Sequence, residues 1–521
     1  MSRSKNNSKN TGKNTVRPYT VMCTDIYLLW ILVFFPLYYA DGYFHLPEKK
    51  AMFWTVSTLV YVIVCLVGAV ITAFSMREHW SMENFKKNIT MTDIFMFGFL
   101  ISNLIALAIS DDPMGSWVGA NARYYGARVL ILVCVVYFLV SRYAWINQVF
   151  IVAFLIGGNG VCLLATFDYF GMDVLGINKQ MQASDWLMFI STMGNANTCA
   201  SYVTMAVAGA MCYFCVAKSM KAKVFAAISV VNCSMALITA RSDSAFVGIA
   251  ITIIFLGVCT IMKKVDLRRY IATLTLIDIG ILGLLVLRKV LNKYLLLEWF
   301  ESGLMLKIIV SEKVWVIIFI ILALAYSAVV FFEKGKINFS RRTKIVASIV
   351  SGIAIVILLI VGAYKFNLVE MIQIGMGNDI GSRSYIYQRM LQTYEQLPLT
   401  NKILGCGQAT VSNALNRYFG NELSMVGISI NSAHSNILDY LITLGLLGAA
   451  CCLGVLISII KHNLIALSEN KYVLVFGGCA IAYFAQGLFN IDQTNTTTIY
   501  WLMVACCEAM YRQSVMKKEN Y

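Results

Sequence analysis

The chain of 521 residues is 59% hydrophobic and only 13% charged, with a formal net charge of +15. Together with a mean hydropathy of +0.71, this composition excludes an ordinary soluble globular protein, in which about 25% of residues are charged. The Lys and Arg residues lie in short clusters between apolar runs, without one basic face or a nucleic-acid motif. That distribution is typical of membrane-protein loops, so we predict membrane lipids and no nucleic acid as partners.

The N-terminal stretch MSRSKNNSKNTGKNTVRP is polar and basic, and we expect residues 1–24 to form a disordered cytoplasmic tail. The stretch is too long and too polar to begin a cleaved signal peptide, so the first apolar segment should remain as a membrane span. Most of the 15 cysteines lie within apolar runs, where a thiol is a small hydrophobe, and no disulfide is predicted.

A membrane-spanning helix needs about 20 mostly apolar residues. Scanning for such runs predicts fourteen candidate spans, near residues 25–40, 52–75, 92–110, 127–141, 146–166, 199–217, 224–240, 246–262, 271–287, 313–332, 345–363, 434–460, 472–490 and 496–510. We therefore expect an all-α, polytopic bundle of about 12–14 transmembrane helices. The predicted parts are an N-terminal bundle of about eleven spans (25–363), a large extracytoplasmic loop (364–433), C-terminal transmembrane helices (434–510) and a cytoplasmic tail (511–521).

The positive-inside rule gives the orientation independently of hydropathy. With the N-terminus inside, the cytoplasmic segments hold 26 of the 42 Lys and Arg residues, and both termini are cytoplasmic. The loop at 364–433 is then external, and it contains an amphipathic helix candidate, RSYIYQRMLQTYEQL, followed by the turn-rich ILGCGQAT. We find no convincing internal repeat of the kind that indicates the inverted halves of many transporters.

His434 begins the twelfth candidate span, in NSAHSNILDYLITLGLLG. Asn431 or Ser432 could cap that helix. The partial positive charge of a helix N-terminus favours a neutral imidazole, which can act as a general base. Further along, Gly445 and Gly448 would let a neighbouring helix pack closely. The structural alternative is a boundary histidine that is hydrogen-bonded to a carbonyl.

Two arginines lie near external span ends, Arg241 in LITARSDSAF and Arg383 in DIGSRSYIYQRM. Because a guanidinium group matches phosphate oxygens bidentately, two arginines beside one neutral histidine would suit a diphosphate donor. Taken singly, Arg241 could instead snorkel to the membrane interface, paired with Asp243. Arg383 could likewise be an ordinary solvated side chain.

Asp278, in TLTLIDIGIL, is the deepest acidic residue and could indicate ion coupling. The sequence has no GxxxxGK[ST] loop, no GxGxxG after a strand and no HExxH, and its four histidines are widely scattered. We therefore predict no metal site and no cofactor.

The C-terminal half resembles the O-antigen ligase and polysaccharide polymerase superfamily of bacterial membrane glycosyltransferases. The matching segments are TARSDSAF around Arg241, GSRSYIYQ with ILGCGQAT, and AHSNILDYLITLGLLG, in which an apolar helix lies between the histidine and Gly-x-x-Gly. Upstream, DDPMGSWVGANARYYG (111–126) and MGNANTCASY (193–202) are similar to external loops of that family. The resemblance implies a helix bundle like that of C-type glycosyltransferases.

The resemblance also implies that the enzyme polymerises or ligates undecaprenyl-diphosphate-linked oligosaccharides at the outer face of the bacterial cytoplasmic membrane. His434 would act as the base for a hydroxyl of a glycan or lipid-linked acceptor, and Arg241 and Arg383 would hold the diphosphate. The reaction would be metal-independent and inverting. Further candidates for the diphosphate site are Arg389 and Arg417. Four glycines would be structural: Gly405, Gly407, Gly445 and Gly448.

Other functions also fit the sequence. A transporter or flippase of lipid-linked or other anionic solutes would depend on Asp278, whereas a structural assembly protein would tolerate substitution at all of these positions. Within the superfamily, ligases, polymerases and protein-glycosylating enzymes stay open. Fourteen spans exceed the twelve usual for the ligases, which favours a polymerase.

Overall fold

The computed structural model describes residues 19–40, 42–75, 88–119, 123–182, 189–291, 312–334 and 383–516. Within these ranges the chain is almost entirely helical, and the strands are one antiparallel pair, β1 (Phe189–Ile190) and β2 (Gly194–Asn195). The α-helices, in chain order, are α1 (Tyr19–Leu37), α2 (Gly42–Ser75), α3 (Met91–Ala108), α4 (Pro113–Val118), α5 (Ala127–Tyr143), α6 (Gln148–Tyr169), α7 (Ala196–Val216), α8 (Met220–Thr239), α9 (Ser244–Ile261), α10 (Leu267–Leu291), α11 (Glu312–Lys334), α12 (Arg383–Gln396), α13 (Leu399–Leu404), α14 (Val411–Val426), α15 (Asn436–Thr443), α16 (Gly445–Ala466), α17 (Val473–Gly487) and α18 (Thr494–Tyr511).

The predicted all-α, polytopic fold is confirmed. Ten of the described helices are long and apolar enough to cross a membrane. Thirteen of the fourteen predicted spans overlap an observed helix, and the remaining one, at 345–363, lies outside the described residues. Hydropathy located the helices because an apolar helix satisfies all of its backbone hydrogen bonds internally, as a lipid environment requires.

Helices α7 and α17 form the centre of the bundle. Every residue of α17 is buried, as are nearly all residues of α7. Small residues allow this close approach, since a Cβ atom added at Gly478 would lie 2.5 Å from Cys212 Sγ. The outer helices turn apolar side chains such as Ile254 and Ile457 away from the protein, as expected for surfaces that face lipid.

The loops gather at two ends of the bundle. At one end, which we call the site end, the loops after α4, α8 and α17 meet one another and the start of α7. Ser242 Oγ donates to Asn197 Oδ1 at 2.8 Å, Asn490 Nδ2 donates to the Asn197 carbonyl at 2.8 Å, and Thr494 Oγ1 donates to the Tyr124 carbonyl at 2.7 Å. These bonds hold four distant parts of the sequence together.

The opposite end, which we call the basic end, is rich in Lys and Arg. There Lys264 Nζ donates to Ser468 Oγ at 2.6 Å, joining the loops after α9 and α16. Arg142 and Arg512 both form ion pairs with the buried Asp93, which ties α5 and α18 to α3.

Helices α12 to α15 build a small unit on the site end with a hydrophobic core of its own, including Tyr385, Met390, Leu415 and Ile442. This unit is the described part of the predicted loop at 364–433 together with the residues that follow it. Residues 364–382 lie outside the described ranges.

The predicted span at 434–460 is not one helix. It is divided at Leu444 into α15, with only eight residues, and α16, which is the apolar spanning helix. The predicted cap is also wrong, because Ser435 is the N-cap residue of α15 and its side chain makes no capping hydrogen bond. Ser432 instead accepts the His434 backbone N–H at 3.0 Å, and Asn431 binds Arg123.

Candidate active site

The break between α15 and α16 is held open by the glycine-rich segment after α13. The N–H groups of Cys406 and Gly407 donate to the carbonyls of Ile442 and Thr443, each at 3.0 Å, and so satisfy acceptors that the interrupted helix exposes. Gly445 has a φ of +69°, a conformation that disfavours other residues. The two segments therefore fix the position of α15 at the site end.

The other predicted glycines also lie at close contacts. A Cβ at Gly405 would lie 2.2 Å from the Thr443 carbonyl oxygen, and one at Gly407 would lie 2.3 Å from Ser110 Oγ. At Gly448, on α16, the added atom would lie 2.3 Å from Leu444 Cβ and 3.0 Å from Ser102 Oγ on α3. Since real Cβ atoms essentially never approach closer than 3.0 Å, none of these positions has room for a side chain unless its neighbours move.

His434 lies in the turn before α15, and its backbone is held from both sides. Its N–H donates to Ser432 Oγ at 3.0 Å and its carbonyl accepts from the Tyr387 hydroxyl at 3.0 Å. Asp439 supports the turn by accepting from Ser432 Oγ and from the Ala433 N–H, at 3.0 and 2.9 Å. No described residue makes a hydrogen bond with the imidazole ring, so the backbone is fixed while the ring nitrogens stay available.

The imidazole of His434 is neutral at physiological pH. Its pKa is lowered to about 4, first by burial and then by the positive charges of Arg123 and Arg383. Burial and nearby cations both disfavour the charged form of histidine. The ring is therefore in the protonation state that a general base requires before reaction.

Arg383 links His434 to the loop that carries Arg241. It is the first residue of α12. Its positive charge lowers the pKa of His434. Burial raises the pKa of Asp243, and the charge of Arg383 reduces that rise. Asp243 is two residues from Arg241, so the structure brings His434, Arg383 and the Arg241 loop to one region of the site end.

Arg241 itself is largely buried in the tight turn between α8 and α9. Its guanidinium carbon lies 5.7 Å from the centre of the Tyr169 ring, within the range of a cation–π interaction. Burial lowers the pKa of Arg241 to about 10, an effect opposed by Tyr169 and Asp168. The guanidinium therefore stays a cation at physiological pH.

Arg123 was not singled out in the sequence, although it lies in the segment DDPMGSWVGANARYYG. It donates to the Asn431 side chain, three residues before His434. Burial lowers the pKa of Arg123, and the nearby Asp439 and Asp492 oppose that shift. It lines a cavity of about 260 Å³ together with His434, so this third arginine belongs to the site.

Backbone strain is concentrated around the same residues. In the described ranges, six residues other than glycine have a positive φ: Tyr124, Ser191, Arg241, Lys263, Ala409 and His434. Such conformations cost about 1–3 kcal/mol each and persist where the surrounding structure enforces them, often at functional sites. Both Arg241 and His434 are among them, each with a φ of +51°.

Two further predicted residues have partners within the unit α12–α15 and its neighbours. Arg389 forms an ion pair with Glu422 and lies over the rings of Tyr385 and Phe419. Arg417 forms an ion pair with Asp111. These contacts favour structural roles for both arginines, since each joins two elements.

The fold and this site define a class: a polytopic membrane protein with a neutral histidine and several arginines at one end of its helix bundle. Residues 302–453 match the family model described as O-antigen ligase. The matched range contains His434, Arg383 and the four predicted glycines, whereas Arg123 and Arg241 lie outside it. No curated protein and no solved structure matches the chain.

The match confirms the resemblance to the O-antigen ligase and polymerase superfamily that the sequence motifs predicted. The chain is thus a multi-pass membrane protein with an O-antigen ligase domain, which supports a membrane enzyme of the ligase and polymerase type.

Proposed function

We propose that the chain transfers a glycan from an undecaprenyl-diphosphate-linked donor to a hydroxyl of a glycan or lipid-linked acceptor, as a surface polysaccharide polymerase or ligase. His434 is the general base in this proposal, and Arg241 and Arg383 bind the diphosphate. The observation that carries it is a partly buried, neutral His434 within the electrostatic influence of Arg383, which also acts on the loop of Arg241.

The reaction is a single displacement. The Nδ1 or Nε2 atom of His434 takes the proton of the acceptor hydroxyl while the acceptor oxygen attacks the anomeric carbon. The bond from that carbon to the diphosphate oxygen breaks, and undecaprenyl diphosphate leaves with the electron pair. One displacement inverts the anomeric configuration. The two arginines stabilise the charge that develops on the leaving group, so the proposal uses no metal ion.

Donor binding would also adjust His434 for its role. With a pKa of about 4, the free imidazole is a weak base, and a base is most effective when its pKa is near the working pH. A diphosphate placed on Arg383 would offset one of the two cations that lower this pKa. The pKa of His434 would then rise in the donor complex, which makes the base effective when the donor is present.

The distribution of charge supports an extracytoplasmic site. Lys264, Arg142 and Arg512 all lie at the basic end, opposite His434, and basic loops face the cytoplasm in most membrane proteins. We propose that the protein lies in the bacterial cytoplasmic membrane with both termini inside and the site end outside, where lipid-linked glycans would be its substrates.

In vitro transfer tests the proposed function. The donor is the lipid-linked glycan that accumulates in cells lacking this protein, and the product is resolved by size. We expect wild-type protein to extend or transfer the glycan and the His434→Ala variant to lose that activity while retaining normal membrane insertion. Equal product from both proteins would contradict the role of His434.

One observation favours the transporter alternative. Asp278 is buried near the middle of α10, and neither of its carboxyl oxygens has a hydrogen-bond partner in the described residues. A transporter that uses this residue would lose transport of the lipid-linked glycan in Asp278→Asn and keep it in His434→Ala. If the chain is a glycosyltransferase, transfer activity should be lost in His434→Ala and kept in Asp278→Asn.

A further inference from the structure

The cavity of about 260 Å³ beside His434 has a distinct lining. Besides His434 and Arg123, the lining includes five residues that carry side-chain amides: Asn195, Asn197, Asn490, Gln493 and Asn495. The described residues that line it include no carboxylate. An amide both donates and accepts hydrogen bonds, as a sugar hydroxyl does, so this lining suits a neutral, hydroxyl-rich ligand.

The amide wall is built and positioned by the protein. Asn490 Nδ2 donates to the Asn197 carbonyl at 2.8 Å and to Ser201 Oγ at 3.0 Å. Asn197 Oδ1 accepts from Ser242 Oγ at 2.8 Å, and Asn495 Nδ2 donates to the Met193 carbonyl at 3.3 Å. The wall therefore keeps its shape without a ligand.

Gln493 differs from these neighbours. It is partly exposed in the loop before α18, and no described residue makes a hydrogen bond with its side-chain amide. Its backbone N–H is bound by Thr497 Oγ1 at 3.0 Å, so the residue itself is held in place. Its side chain can thus bond to a ligand without breaking a contact within the protein.

We infer that this cavity is the acceptor subsite and that it binds one uncharged sugar ring with a hydroxyl directed at His434. The inference rests on the proposed function. An inverting displacement places the acceptor oxygen and the leaving diphosphate on opposite sides of the anomeric carbon. The base lines this cavity, whereas Arg241 and Arg383 do not, so the geometry separates acceptor and diphosphate as the reaction requires.

Charge and size both point to a neutral single ring. Arg123 has the carboxyl groups of Asp439 and Asp492 nearby, so the cavity presents little uncompensated charge to a phosphate. Its volume of about 260 Å³ is slightly below the range of about 300–1,000 Å³ that is typical of pockets for drug-sized ligands. Tyr43, whose ring stacks on Phe189, adds an aromatic face to the lining.

Binding of the acceptor and binding of the donor can be measured separately. The acceptor probe is the glycan released by mild acid from the lipid-linked donor, and the donor probe is the intact lipid-linked glycan. In Gln493→Leu we expect the Kd and the acceptor KM of the released glycan to rise roughly tenfold, because a polar contact to the sugar is lost. Donor binding should stay within about twofold of wild type, since no diphosphate ligand has changed.

Two variants accompany this measurement. Gln493→Asn keeps an amide on a shorter side chain, and its effect should be smaller than that of Gln493→Leu. Gln396→Leu makes the same change at an exposed glutamine on α12, outside the cavity, and should behave as wild type.

Three results would overturn the inference: failure of wild-type protein to bind the released glycan, wild-type affinity for it in Gln493→Leu, or a loss confined to donor binding. Failure of the proposed function gives a different pattern. In that case the wild type transfers no glycan from the donor. Binding of the released glycan is a separate measurement, and its result does not depend on whether transfer occurs.

Discussion

At the scale of single residues, His434 combines a fixed backbone with an available ring. The hydrogen bonds from Tyr387 and to Ser432 hold the backbone, whereas the ring makes no hydrogen bond with a described residue. A histidine that served only to stabilise the turn would be expected to use its ring nitrogens for that purpose. The geometry therefore favours a chemical role.

Replacement of His434 by alanine should reduce kcat by about 10²- to 10⁴-fold, the range typical of a general base. Folding should be unaffected, because the bonds that hold the turn come from the backbone of His434. Transfer assays and membrane levels measure the two effects. His45→Ala, at an exposed histidine on α2, is the control, and equal losses in both variants would argue for general damage.

Replacement of Arg383 by lysine keeps the positive charge but removes the bidentate fork that matches diphosphate. We expect the donor KM to rise by about tenfold or more, with a smaller change in acceptor binding. Steady-state kinetics with varied donor measures this. Arg268→Lys, at an exposed arginine of the basic end, should leave the donor KM unchanged, and an unchanged KM in Arg383→Lys would remove Arg383 from the diphosphate site.

Removal of Arg123 should shift the acidic fall of the kcat/KM profile to higher pH. The charge of Arg123 lowers the pKa of His434, so Arg123→Gln should raise that pKa. Because the neutral imidazole is the active form and kcat/KM for the donor reports the free enzyme, this kcat/KM should in the wild type stay level as the pH falls until it approaches 4. In Arg123→Gln the fall should begin at higher pH, whereas Arg123→Lys should keep the wild-type profile. If kcat/KM fell at the same pH in wild type and in Arg123→Gln, the electrostatic role of Arg123 would be contradicted.

Some of these site residues could be predicted from the sequence, and others could not. His434 and Arg383 lie in segments with recognisable motifs. Arg123 could not be recognised, because nothing in its own segment shows that it lies beside Asn431, 308 positions away. The contact depends on packing of the loop before α5 against the turn before α15. Hydropathy does not predict such contacts between distant segments.

At the scale of elements, the break between α15 and α16 determines where His434 lies. The apolar pattern of 434–460 continues through the break, so the sequence predicted one helix. The interruption depends instead on a partner, the backbone N–H groups of Cys406 and Gly407, which bind carbonyls left open at the end of α15. Tertiary contacts of this kind override local helix preference.

Gly445→Ala tests whether this break is needed. A left-handed conformation costs about 1–2 kcal/mol for a residue with a Cβ, and the added atom would also lie 2.3 Å from the Ile403 carbonyl oxygen. We expect a clear drop in thermal stability in detergent together with loss of transfer activity.

The matched control for that substitution is Gly427→Ala. Gly427 has a φ of +70°, close to the +69° of Gly445, but an added Cβ would meet no atom within 4 Å. It should show only the conformational cost, with activity retained. Equal effects of the two substitutions would show that close packing at Gly445 is unimportant.

At the scale of the whole molecule, the two ends of the bundle differ in chemistry. The basic end has Arg142 and Arg512 paired with Asp93, while the site end gathers amides, arginines and a neutral histidine. The span map could be predicted from sequence because the need for apolar helices is local to each segment. The place of Arg123 beside His434 could not, because it depends on how segments far apart in sequence are arranged.

Orientation in the membrane is testable by cysteine labelling. A membrane-impermeant maleimide should label Asn421→Cys, on the exposed surface of α14, in intact cells. Lys264→Cys, at the basic end, should react only after the membrane is permeabilised. The native cysteines in the described residues are buried or partly buried, which keeps the background low. The opposite labelling pattern would place the site in the cytoplasm and contradict the proposed orientation.

The proposed placement of the donor between His434 and the two arginines is tested most directly by a structure of the His434→Ala variant with its lipid-linked donor, determined by electron cryo-microscopy in lipid nanodiscs. We predict that the guanidinium groups of Arg241 and Arg383 both lie within hydrogen-bond distance of the diphosphate, with the anomeric carbon facing position 434. A diphosphate bound away from both arginines, or an anomeric carbon directed away from position 434, would contradict the account.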